Sequence, residues 1–239
     1  MPPARQQLLF FGLIGASVVT GLATLLARVA GPAGAFAPLV SALVYIAVLA
    51  VALAGIDRHH LFPRLGTANL VTLLRTILVS VLAGWLVVRD PGPIALVATV
   101  LATIAACLDA WDGPLARRSG MASAFGARFD MEVDALFILV LSALAWRWDK
   151  AGAWVLLSGA LRYLFVAASW GLPWLNAPLG PSLRRKTICV VQIVGLIVAI
   201  APVITRPLSE MAAGLTLVLL AWSFVVDVAW LARARAASA

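Results

Sequence analysis

The sequence predicts an all-α, polytopic membrane helical bundle of about eight transmembrane helices. Three observations carry that prediction. Hydrophobic residues make up 63% of the 239 and charged residues only 12%, half of the roughly 25% usual in soluble domains. Mean hydropathy is +1.04. The apolar residues also arrive in long runs, each near the roughly 20 residues that cross a bilayer core: 8–28, 34–54, 69–88, 93–111, 130–147, 151–171, 186–205 and 208–231.

The first run must be weighed against a signal peptide. One Arg precedes it, and small residues at 34–37 offer a cleavage site. Its apolar stretch exceeds the roughly 7–15 residues of a signal core, however, so it reads as a retained span. Neither of the first two spans holds an acid, whereas chemically informative residues begin at Asn69. The expected organisation is therefore two extra N-terminal helices over 1–60 and a six-helix core over 61–239. Segment 55–68 is mixed in character and broken by Pro63, and reads as a helix lying along the membrane surface.

The net charge of +8 suits membrane orientation better than nucleic acid, and no nucleic-acid partner is expected. Arg5, Arg58, Arg64, Arg117, Arg118, Arg128, Arg184, Arg185, Lys186, Arg233 and Arg235 fall on one side of the predicted spans. Arg28, Arg89, Arg147, Lys150 and Arg206 fall on the other. The richer side should be cytoplasmic, with both termini on it. Cys107 and Cys189 lie in spans and form no CxxC pair, which points to packing rather than a disulfide framework. His59 and His60 make a poor metal pair without further ligands and read as interfacial polar residues. The tryptophans, mostly near span ends, read as interfacial anchors.

The chain has ten acids, and Asp109, Asp112, Asp130, Glu132 and Asp134 all lie within one short stretch. A carboxylate at the bilayer centre costs about 2.5–3.5 kcal/mol, so acids at the inner ends of two adjacent spans need a reason. Asp109 and Asp112 are three apart, and Asp130 and Asp134 four apart, so each pair shares a helix face. Antiparallel spans would bring the four carboxylates together. Their repulsion would force protonation unless divalent cations relieve it, and an oxygen-only ligand set favours Mg²⁺ or Mn²⁺. Glu132 should point elsewhere.

The full string runs Asp109, Asp112-Gly113, Ala116-Arg117, Gly126, Asp130, Asp134. It resembles the CDP-alcohol phosphatidyltransferase family, whose motif is D-x2-D-G-x2-A-R-x8-G-x3-D-x3-D; every fixed position and every gap match. The resemblance covers roughly 69–205. It implies an integral membrane enzyme of phospholipid synthesis, with its active site facing the cytoplasm, that moves a phosphatidyl group from CDP-diacylglycerol or another CDP-linked lipid to an alcohol and releases CMP. It implies two Mg²⁺ or Mn²⁺ ions on Asp109, Asp112 and Asp130, with Asp134 as general base and a further metal contact. Gly113, Ala116 and Gly126 would let the nucleotide approach the backbone, and Arg117 would pair with a phosphate. Pro114 should break or kink its helix. Related proteins are often dimeric, which makes a homodimer an expectation too.

Asn69, Thr72 and Arg75 recur at i, i+3 and i+6 and resemble the Asn-x2-Thr-x2-Arg that opens the first core helix in many members. They are expected at the nucleotide and pyrophosphate site, although Asn69 also fits a helix N-cap and Arg75 a salt bridge to the acids. Arg184-Arg185-Lys186-Thr187 resembles the Lys-Thr of the phosphatidylglycerophosphate synthases, but Gln192 stands five rather than three residues after the Thr and the preceding Gly-Lys is missing. With Arg162, the residues Arg185, Lys186 and Thr187 are candidates for the acceptor's phosphate, which leans toward glycerol 3-phosphate; inositol phosphate, serine, choline and a lipid alcohol stay open. Asp227 could pair with Arg75 or with the terminal arginines. Two other classes compete: an intramembrane prenyltransferase, whose two acidic motifs lie far apart in the chain, and a divalent-cation transporter, whose acids spread over two related halves.

Overall fold

The computed structural model describes the backbone of residues 3–119, 121, 123–177, 179–180 and 182–238. It describes their side chains except at 58–59, 111–119 and 236–238. Among these residues the regular structure is helical: α1 (Pro3–Ala30), α2 (Ala37–His59), α3 (Thr67–Gly84), α4 (Ile94–Ser119), α5 (Ala124–Arg147), α6 (Leu157–Gly171), α7 (Leu183–Ile200) and α8 (Leu208–Ser238), with short 3₁₀ turns between some of them. Among the described residues, five helical segments are long and apolar enough to cross a membrane: Pro3–Gly34, Ala37–Asp57, Thr67–Val87, Ala153–Gly171 and Leu208–Arg235. The apolar part of α4 is shorter, Ile94–Ala110. Acids at one end of α5 and bases at one end of α7 shorten the apolar windows of those two helices. The chain is thus a polytopic membrane helical bundle, as its apolar runs predict.

Several helices outlast their apolar runs, because backbone hydrogen bonding continues into the polar flanks. Two local expectations are corrected. Residues 60–66 do not form a surface helix: α2 runs on to His59, and Pro63 and Gly66, the latter at φ +82°, keep the next residues out of helical geometry. Nor does Pro114 break α4, which continues as helix to Ser119.

The fold divides into two compact units, Met1–Val140 and Leu141–Ala239, with the boundary inside α5. In the first, α3 is the central helix and packs against α1, α2 and α4. Its apolar window is 72% buried, against 22–28% for the other long spans, so the others turn most of their surface outward, as lipid-facing helices do. Small residues permit the close approach: Gly12 on α1 meets Leu49 on α2, and the Tyr45 hydroxyl donates to the Gly12 carbonyl at 3.2 Å. The α1 helix is tied down near its N-terminus. Arg5 pairs with Asp57, and the Gln7 side chain accepts the Leu65 N–H at 2.9 Å.

In the second unit α7 and α8 form the main packed pair, with Gly195 seated against Thr216. The loop after α5 is fastened by Lys150, whose Nζ donates to the carbonyls of Ala201 (2.9 Å) and Ile204 (2.5 Å). Among the described residues, Cys107 and Cys189 form no disulfide.

Candidate metal and phosphate centres

The buried polar residues of α3 lead to the site. Asn69, Thr72 and Arg75 are all buried, Arg75 completely. Gly66, not Asn69, caps α3. Asn69 instead donates to the Leu65 carbonyl, and Thr72 donates to the Ala68 carbonyl at 3.1 Å. Arg75 points at acids from two other helices. Its Nη1 lies 2.8 Å from Asp109 Oδ1 on α4 and 2.6 Å from Asp130 Oδ1 on α5, while Nη2 pairs with Asp134 Oδ1 one turn further along α5.

The cluster has a closed floor and an open face. The Arg75 side chain has no exposed surface, whereas those of Asp109, Asp130 and Asp134 keep 22, 37 and 21% exposure. Among the described residues, three carboxylates face one guanidinium. Oxygens of Asp109, Asp130 and Asp134 lie within 4.8 Å of one another, a spacing at which they can share one cation. All are hard oxygen donors, the set that suits Mg²⁺ or Mn²⁺. These residues therefore fit a divalent ion. Glu132 is not part of this group.

Of the residues expected here, the structure brings Asp109, Asp130, Asp134 and Arg75 together. The α4 backbone carries Asp112, Gly113, Ala116 and Arg117 one to two turns beyond Asp109, but their side chains lie outside the described residues. Gly126 has a local reason to be glycine: a Cβ there would stand 2.7 Å from Asn69 Oδ1, so the missing side chain lets α5 approach α3.

A second charged cluster lies within the other unit. Asp227 on α8 pairs with neither Arg75 nor the terminal arginines. Its Oδ1 takes Arg184 Nη2 at 2.5 Å and Arg185 Nη1 at 3.1 Å, both from the first turn of α7. Arg184 also donates to the Ser223 carbonyl (2.7 Å) and hydroxyl (2.8 Å), and its guanidinium stands 5.7 Å from the Trp222 ring centre. Ser182 caps α7. Lys186 and Thr187 are exposed, and Arg162 is half-buried on α6. Sequence reasoning placed Arg184 in the basic run that opens α7 without naming it a site residue, and passed over Ser223. The available signal was Ser223 and Asp227 at i, i+4 in an otherwise apolar helix.

Residues 65–229 match the CDP-alcohol phosphatidyltransferase family. No curated protein and no solved structure gives a match to this chain. The matched segment covers most of the chain and contains both charged clusters. Members act in the membrane on CDP-alcohols, transferring a phosphatidyl-type group, and generally depend on a divalent metal. By its helices, its aspartate spacing and this match, the chain belongs to the CDP-alcohol phosphatidyltransferase family.

Proposed function

We propose that this chain transfers the phosphatidyl group of CDP-diacylglycerol to a small phosphorylated polyol, glycerol 3-phosphate being the favoured acceptor, and releases CMP. One observation carries the reading: carboxylate oxygens of three aspartates, spaced as in the family motif, gathered within 4.8 Å above a buried guanidinium. Asp109, Asp112 and Asp130, with Asp134 shared, would hold two ions of Mg²⁺ or Mn²⁺. When bound, such ions neutralise the pyrophosphate and polarise its oxygens.

The remaining work falls to the chain. Asp134 takes the proton of the acceptor hydroxyl as that oxygen attacks the lipid-bearing phosphorus. The new P–O bond forms while the bond to the CMP oxygen breaks, and CMP leaves with that electron pair. Arg75 holds Asp130 and Asp134 in register for this step. Arg117 pairs with a donor phosphate, and Asn69, Thr72, Gly113, Ala116 and Gly126 shape the nucleotide side. Arg185, Lys186, Thr187 and Arg162 receive the acceptor's phosphate. The basic residues put the active site and both termini on the cytoplasmic face; residues 61–239 form the catalytic core behind the two leading helices, and the enzyme works as a homodimer.

The test is CMP release by the purified protein in nanodiscs with CDP-diacylglycerol, Mg²⁺ or Mn²⁺, and a panel of alcohols. Release should require one acceptor, stop with chelator, and fall at least about 100-fold in Asp134→Asn. Folded protein that releases no CMP with any acceptor would overturn the reading. Activity that survives in Asp134→Asn would remove Asp134 as the base.

A further inference from the structure

His60 lies outside the motif, yet its ring makes two hydrogen bonds. Nε2 is 2.8 Å from the Arg64 carbonyl and Nδ1 is 3.1 Å from Ser123 Oγ. A carbonyl only accepts, so Nε2 carries a proton toward Arg64, and Nδ1 is hydrogen-bonded to the Ser123 hydroxyl. The Ser123 oxygen also accepts the Gly126 N–H at 3.1 Å. The relay links the segment after α2 to the first turn of α5. Apolar contact supports it: the His60 ring stands edge-on to Phe125 with centroids 5.6 Å apart, and Phe125 stacks on Phe129. The same segment is held from the other side by Gln7 of α1 at Leu65.

Ser123 directly precedes α5 and its hydroxyl takes the Gly126 N–H of that helix's first turn, while Asp130 and Asp134, four apart, share one face further along the same helix. What holds Ser123 thus holds the start of the helix that carries both carboxylates. At about 5 Å from the axis, a turn of roughly 20° moves a side-chain oxygen by about 2 Å. That is as long as a Mg²⁺–oxygen bond of about 2.0–2.1 Å.

We infer that His60 is a positioning residue: through Ser123 it sets the rotation of α5 and so the places of Asp130 and Asp134, which makes the two leading helices part of the aspartate centre. The inference rests on the metal reading proposed above.

The test is Mn²⁺ affinity of the full chain in detergent, measured as free Mn²⁺ by electron paramagnetic resonance, with thermal stability recorded separately. Asp130→Asn serves as the control for the site. His60→Ala and Ser123→Ala should each weaken Mn²⁺ binding about tenfold. The double variant should be no weaker than either single, because both break one relay. Ser123→Thr, which keeps the hydroxyl, should bind as wild type does. A merely structural role would lower the melting temperature and leave the affinity of the folded protein unchanged, and that outcome overturns the inference, as does an additive loss of about a hundredfold in the double variant. Wild-type protein that binds no Mn²⁺ removes the metal reading and this inference with it. Wild-type binding lost in Asp130→Asn but equal to that of His60→Ala removes the inference alone.

Discussion

The two charged clusters invert one another. In the first unit one buried arginine faces three carboxylates on two helices. In the second, one carboxylate faces two arginines on a single helical turn. Among the described residues, each minority charge gathers the charges of the other sign. The Arg75 cluster is thereby prepared for a cation, the Asp227 cluster for an anion. The difference teaches that an ion pair in such a bundle is not simply a stabilising contact. Its stoichiometry says which ligand is awaited.

The strongest way to break the comparison is Arg75→Met. The guanidinium is fully buried, and removing it leaves three carboxylates facing one another. Losing one partner of a buried charge network costs about 3–5 kcal/mol, so the variant should melt well below wild type in detergent. It should also recover more stability than wild type on adding Mn²⁺, since the bound ion replaces the missing positive charge. Melting curves with and without Mn²⁺ measure both effects. Equal stability without metal would mean that Arg75 is not the counter-charge of the cluster.

The reach of the sequence follows from the same geometry. The aspartate cluster was legible because its information is local: three- and four-residue spacings decide a helix face, whatever that helix packs against. A salt bridge from Arg75 to these acids was one of the readings open in the sequence, and the structure bears it out; which acids it takes was not legible, since Asp130 and Asp134 lie 55 and 59 residues away and only packing of α3 against its neighbours selects them. Asp227 shows this more sharply. Two partners were open, and the structure selects neither, because Ser223 and Asp227 turn toward the first turn of α7. The apolar runs located the spans but not the helix ends, as hydrogen bonding carries α4 past Pro114 and α2 to His59. His60 was read as interfacial because nothing in its neighbourhood along the chain announces Ser123.

Asp227→Asn sharpens the comparison from the other side, with a smaller expected effect. The carboxylate is only 11% exposed, but its arginines keep 23 and 30% of their side-chain surface, and Asn retains an oxygen to accept from them. Stability should fall by about 1 kcal/mol. Freed of their negative partner, Arg184 and Arg185 should bind phosphate more tightly. The KM for a phosphorylated acceptor should drop about threefold, as expected for roughly 0.6 kcal/mol of added charge interaction, while the KM for CDP-diacylglycerol stays put. A KM that rises for both substrates would show that Asp227 serves only the packing of α7 on α8.

Arg5 and Asp57 supply the balanced case. One cation meets one anion, neither side is in excess, and the side chains are 33 and 36% exposed. Solvent screens such a pair, and its contribution is typically about 0–1 kcal/mol. If charge stoichiometry rather than mere pairing prepares a site, Arg5→Ala should change the melting temperature little, leave Mn²⁺ affinity unaltered and leave the acceptor KM where it was. The measurement is the same pair of titrations used for the other two clusters. A clear loss of Mn²⁺ affinity in Arg5→Ala would mean that pairing between the start of α1 and the end of α2 reaches the aspartates. The excess of carboxylates over Arg75 would then no longer be sufficient to explain why the cation binds there.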